Sequence, residues 1–416
     1  MFNLIRKQLL FLKENPGFTQ LASINLFSKI GDRLFYTVLL SIAATLPKPH
    51  LAITIIAISE TLPLLLGIFL GSLADQNPHK PNQLIRTGFL RFALYLFIGI
   101  LLNYTPTMTL ILSIAAFNFL SDLLGNYSSA LIAPFTKLMV QPADMPKAQS
   151  LISITSQLLS AMATFLGAYL MTIFLPKTIS GLNALIFLIV AIGFWQLKAK
   201  LVPYNQQLSI QKQPSWKLIK TNFRSLVNNK PILNDLLQLA LLNGSLGGLT
   251  PIYVLFLQSN APISADTSAL MISLLSATIT ISMIIGNSLS SICLTKISTR
   301  NLALVANGFL ILLGLGFLVN QVAIIFLSVG ITGSLIGIIS PRFTTLVIQK
   351  YPAIQLGGII TTVNSVLVIM PPITSFIFPL LASTNSYFSY YFFIGYALVT
   401  IILNFWLGYL TKKPLH

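Results

Sequence analysis

Acidic residues are scarce in this chain. Eight Asp and Glu stand among 416 residues, against 25 Lys and Arg, and all charged residues together make up 8%. A soluble globular chain carries about 25% charged residues, so a water-soluble multidomain protein is excluded. There is one cysteine, Cys293, which rules out an internal disulfide and a cysteine metal cluster. The three histidines, His50, His79 and His416, are scattered without metal-ligand spacing. No metal or other cofactor is therefore expected. The chain has no G-x-x-x-x-G-K-[ST] run, so its energy source is not a nucleotide held in such a loop.

What the chain has in abundance is apolar sequence: 55% of residues are hydrophobic and the mean hydropathy is +0.84. Runs of about 20 apolar residues broken by Pro, Asn, Gly or charge predict twelve transmembrane helices, at 19–46, 51–74, 83–103, 106–136, 147–174, 179–198, 231–258, 266–293, 300–319, 321–348, 354–382 and 386–410. The opening segment, MFNLIRKQLLFLKENPG, has basic residues on both sides of a short apolar stretch and no small-residue cleavage site. It reads as an amphipathic surface helix rather than a signal peptide.

With the N-terminus inside, Lys48 and Lys177 fall outside, and Lys29, Arg33 and Arg342 fall within spans. That leaves 20 of the 25 basic residues on the inner side. This is the positive-inside pattern, and it accounts for the net charge of +17 without a nucleic-acid partner. Seven basic residues and no acid lie between Lys198 and Lys230, which reads as a solvated, topogenic loop near anionic lipid. The chain thus divides into a six-helix half over 1–197, a basic cytoplasmic linker over 198–230, and a second six-helix half over 231–416. APFTK (133–137) and SPRFT (340–344) end the fourth span of each half, and such internal likeness favours a duplicated architecture.

An ionisable side chain at bilayer depth costs several kcal/mol and faces a cavity or a partner. Asp32, Arg33, Glu60 and Asp122 fall there, with Lys29 and Arg342 nearer the inner side. In span one Asn25, Lys29, Asp32 and Tyr36 share a helix face. In span four Asn118, Asp122, Gly125 and Ser129 do so, flanked by Ser121 and Asn126. A carboxylate whose charge partner changes between two states can bind and release a proton, which makes Asp32, Asp122 and Glu60 the candidates for proton coupling. Lys29, Arg33, Asn118, Asn126 and Arg342 are candidates for charge pairing or substrate contact. The competing reading is a static ion pair, such as Arg33 with Glu60 or Asp122.

The turn after span two reads GIFLGSLADQNPHKPNQLIR (67–86). Gly67, Gly71 and Asp75 recur every four residues and share one face. Glycines let helices approach closely in lipid, and a carboxylate at the helix end can meet a neighbouring helix N-terminus. Gly71, Asp75 and Lys80 resemble motif A of the major facilitator superfamily, while Gln76, Pro78 and His79 depart from it. FSKIGDRLFYTVLL (27–40) and ALIAPFTKLMVQPADMPKAQSLISITSQLL (130–159) resemble the macrolide-efflux and siderophore-exporter branch. The resemblance implies an all-α membrane fold of twelve helices in two halves around a central cavity, faced by spans one and four. It also implies a cytoplasmic gate at Gly71, Asp75 and Lys80, and alternating access by rocking of the halves. Span five lacks the Gly-Pro ending of the drug-proton antiporters: Gly167 is followed by Ala168.

The function expected on this footing is secondary active transport, with proton-coupled export of amphipathic small molecules. The alternatives are uptake or flipping of a specific nutrient, peptide or lipid-linked substrate, and a transport-dead immunity or sensor protein on the same fold. A membrane enzyme would need clustered acids or histidines, and the eight acids are scattered. The expected partners are a small-molecule substrate, a proton and the lipid bilayer, with no nucleic acid. A monomer in the cell membrane with both termini cytoplasmic completes the expectation.

Overall fold

The computed structural model describes residues 10–44, 46, 49–208, 215–260, 265–290, 297–382 and 386–412. Residues 1–9 of the opening segment, Lys48, Cys293 and His416 lie outside them. Among the described residues everything regular is helical. The elements are α1 (Pro16–Ala44), α2 (Pro49–Leu65), α3 (Gly67–Gln76), α4 (Lys80–Leu101), α5 (Met108–Met139), α6 (Met145–Ile173), α7 (Pro176–Gln206), α8 (Ser215–Asn228), α9 (Lys230–Asn260), α10 (Ala265–Leu289), α11 (Thr299–Leu318), α12 (Val322–Lys350), α13 (Leu356–Ala382) and α14 (Ser386–Lys412). Among the described residues eight helices are long and apolar enough by themselves to cross a membrane. α1 misses that standard for a physical reason: Lys29, Asp32 and Arg33 sit in its middle.

Two features depart from the sequence reading, and a third gives its shortest connection a geometry. The second span is two helices, broken at Leu66 three residues after Pro63. A proline inside a helix has no N–H to donate and crowds the carbonyl four residues back. The basic linker is not merely a solvated loop. α7 runs on to Gln206, and α8 fills 14 residues of it with Leu218, Asn222 and Leu226 buried and Trp216 exposed. The near-absent connection between spans nine and ten is a tight turn. Asn320 there has φ 54°, a left-handed conformation that asparagine tolerates. The Gln321 N–H donates to the Gly316 carbonyl at 3.0 Å, closing α11 with a six-to-one bond.

The chain forms two compact units: residues 1–145, 155–223 and 348–365 in the first, and 146–154, 224–347 and 366–416 in the second. In the first, α4 packs along α7, α1 lies on α7, and α5 packs against α2, α3 and α4. Its core joins Phe35, Tyr95 and Phe187, with Tyr95 and Phe187 stacked at 5.1 Å. In the second, α9, α11 and α14 pack on one another around Tyr253, Phe256, Phe317 and Tyr390. A buried polar chain ties the same three helices. Asn307 donates to Gln238 at 3.3 Å, Gln238 to the Thr400 carbonyl at 3.2 Å, and Thr400 to Asn307 at 2.6 Å. Asp235 accepts from the Thr299 hydroxyl, a helix-end role for this acid.

Candidate functional site: a charged cavity in the first unit

The polar faces of α1 and α5 meet in one cavity of about 250 Å³. α1 supplies Asn25, Ser28, Lys29, Asp32 and Arg33. α2 supplies Glu60 and Leu64, α5 supplies Asp122, Gly125, Asn126 and Ser129, and α6 supplies Ser156 and Ser160. Among the described residues Leu64 is the one large apolar side chain on its wall. The structure thus brings together Lys29, Asp32, Arg33, Glu60, Asp122 and Asn126. Asn118 lies just behind, 3% exposed. Arg342 lines no part of it: this residue belongs to the second unit, where it donates to the Ser290 carbonyl at 2.9 Å and the Ile297 carbonyl at 3.3 Å.

The charges are organised around a residue that the sequence reading counted only among the inner-end cations, Arg91 of α4. Its guanidinium is 2% exposed, and a buried cation needs a full set of acceptors. It has them: an ion pair with Asp32, bonds to Ser28 Oγ at 2.6 Å and Ser121 Oγ at 3.0 Å, and the Phe187 ring 3.9 Å away. Gly125 makes room for it, since a Cβ there would stand 3.2 Å from Arg91 Nη1. Arg33, next to Asp32 in sequence, instead pairs with Glu60. Consecutive helix positions diverge by about 100°, so Asp32 and Arg33 reach different neighbours. The signal that would have found Arg91 was its depth, well inside the predicted span 83–103.

Two charges of the cavity are held differently. Lys29 donates to Ser156 Oγ at 3.1 Å. Asp122 accepts from Asn118 Nδ2 at 2.9 Å, and Asn118 in turn accepts from the Tyr95 hydroxyl at 2.9 Å. Among the described residues neither Lys29 nor Asp122 takes part in an ion pair.

A second polar cluster occupies the end of α3. Asp75, 3% exposed, accepts from the Gly357 N–H at 3.0 Å and the Gly358 N–H at 2.8 Å, at the first turn of α13. An unpaired helix N-terminus is a ready anion site. Lys80, also 3% exposed, caps the C-terminus of α3 by donating to the carbonyls of Ala74, Asp75 and Asn77, where a cation is favourable. Gly71 permits the contact, for a Cβ would fall 1.9 Å from Thr361 Oγ1 and 2.8 Å from the Gly357 carbonyl oxygen. Lys137 donates to the carbonyls of Gln349 and Tyr351 just ahead of α13. A further cavity, about 740 Å³ between α3, α4 and α5, is lined by Leu70, Leu90, Phe97 and Phe117 and offers no charge. Among the described residues no three His, Cys, Asp or Glu side chains gather as a metal site.

Helices long and apolar enough to cross a membrane, with a charged cavity among them, are those of an integral membrane protein. The chain belongs to the Major Facilitator Superfamily, whose sequence profile matches residues 21–373. It is a transporter rather than an enzyme, and a multi-pass membrane protein whose fold accords with the family's twelve membrane spans. No curated protein matches the chain in sequence. Solved structures share its fold. A bacterial homologue of the iron transporter ferroportin, in an outward-facing state with soaked iron, aligns with TM-score 0.72 and 15% identity, over 94% of this chain and 99% of that one. The E. coli fucose:proton symporter FucP aligns with TM-score 0.64 and 11% identity, over 94% and 98%. The human organic anion transporter MFSD10 aligns with TM-score 0.62 and 13% identity, over 93% and 99%.

Proposed function

We propose that the chain is a proton-coupled secondary transporter that works by alternating access and exports a small polar molecule. The observation that carries this is Asp122, a carboxylate in a charged cavity whose own hydrogen bond comes from an amide and not from a cation. Such an acid can take up a proton without breaking a salt bridge. Asp32 and Glu60 are each held by an arginine, so the coupling role falls to Asp122 ahead of them. The amphipathic, drug-like substrate expected from the sequence finds little support in a wall of Ser, Asn and charged side chains.

Asp75 on the first turn of α13 supports a gate that forms and breaks during the cycle, with Gly71 permitting the approach and Lys80 holding the turn. The basic residues gathered at one set of helix ends support cytoplasmic termini in a cell membrane. Infrared difference spectra of the reconstituted protein, acid minus neutral, test the proton site. The wild type should gain a protonated-carboxyl band that Asp122→Asn lacks and Glu60→Gln keeps. A band that survives Asp122→Asn unchanged would remove Asp122 from the proton path.

A further inference from the structure

The cavity also restricts its ligand by charge. Its wall carries three cations and three acids if Arg91 behind Ser28 is counted: Lys29, Arg33 and Arg91 against Asp32, Glu60 and Asp122. Two ion pairs, Arg33–Glu60 and Arg91–Asp32, use up two of each. What is left is one ammonium, Lys29, resting on Ser156, and one carboxylate, Asp122, resting on Asn118. They come from different helices, α1 and α5, and face the same space.

An uncharged ligand would satisfy neither group once it excludes water. A monoanion would neutralise Lys29 and bring a second negative charge near Asp122. A monocation would do the reverse. A ligand with one negative and one positive group completes both at once, and a buried charge is tolerated only when paired and hydrogen-bonded. The volume agrees with a small ligand: about 250 Å³ is under the range of about 300–1,000 Å³ typical of drug-sized pockets. Asn25, Asn126, Ser129 and Ser160 supply further donors and acceptors around it.

We infer that the transported molecule is a small zwitterion of amino-acid size, its carboxylate on Lys29 and its ammonium on Asp122. This rests on the carrier reading above and narrows it to a substrate class.

The test uses the full chain purified in detergent and follows its thermal stabilisation. The probes are the twenty protein amino acids, each with its N-acetyl derivative, which lacks the cation, and its methyl ester, which lacks the anion. Tetraphenylphosphonium serves as a lipophilic cation. Stabilisation should come from one or more free amino acids, with the matching acetyl and ester forms at least tenfold weaker. Lys29→Gln should bind the ester as well as the free amino acid, and Asp122→Asn should bind the acetyl form as well. If one variant does not fold, the other and the wild-type series still decide. No stabilisation by any free amino acid, or equal stabilisation by the derivatives, overturns the inference, whatever else binds. Failure here leaves the carrier reading standing, because the infrared proton band of Asp122 is read without any substrate.

Discussion

Arg91 holds Asp32 with a geometry that lysine cannot copy. A guanidinium presents five donors in a fixed fork, an ammonium a single compact charge. Removing it by Arg91→Ala should destabilise the protein by about 1–3 kcal/mol, because Ser28 and Ser121 lose a buried partner while Asp32, 30% exposed, is left alone. Arg91→Lys should recover only part of that. Arg33→Gln should lose less than about 1 kcal/mol, since the Arg33 side chain is 44% exposed. Thermal denaturation in detergent separates the three. The contrast also marks how far residues could be read from sequence. Asp32, Glu60 and Asp122 stood out as acids in apolar runs, and the structure does gather them. Which cation each one meets depends on how helices rotate and pack, and no spacing within one helix contains that. Arg91 follows Lys80 and Arg86 in one basic run at the start of α4, and that run hides its depth in the span.

At the scale of elements, the end of α3 and the start of α13 form one contact with a defined geometry. Gly71→Ala would drive a methyl into Thr361 and into the backbone of Gly357 and Gly358, so it should open the contact outright. Asp75→Asn keeps the shape and loses the charge. Hydrogen bonds to a charged group contribute about 1.5–3 kcal/mol, so the gate should shift toward open by about tenfold or more. In a Cys293→Ser background, a Ser129→Cys probe in the cavity should react that much faster with a cytoplasmic thiol reagent. Unchanged reactivity in both variants would mean that this contact is not a gate. The repeat of Gly67, Gly71 and Asp75 showed that a carboxylate and a close helix approach belong together. It did not show that the helix is α13, which is nearly 300 residues away in sequence. The break at Leu66 and the helix within the basic linker were also out of reach. α8 has its apolar residues at helical spacing, but its low mean hydropathy and the seven cations in and around it make the whole segment resemble a loop.

For the whole molecule, composition alone reached the class: few charges and long apolar runs leave room only for a polytopic membrane protein. Twelve spans followed from run length. The membership of the Major Facilitator Superfamily then agrees with a motif of three matching positions, Gly71, Asp75 and Lys80. Substrate chemistry followed neither from composition nor from fold. The amphipathic substrate expected from the family resemblance finds no aromatic partner among the described residues of the cavity, which is lined chiefly by the polar faces of α1 and α5. Work at the level of the whole carrier should therefore begin with the proton, which needs no knowledge of the substrate. The direct measurement is the transient current of reconstituted protein on a solid-supported membrane after a pH jump. Wild type and Glu60→Gln should give a current of similar size, and Asp122→Asn should give less than about a tenth of it. A full-sized current from Asp122→Asn would contradict proton coupling through this cavity.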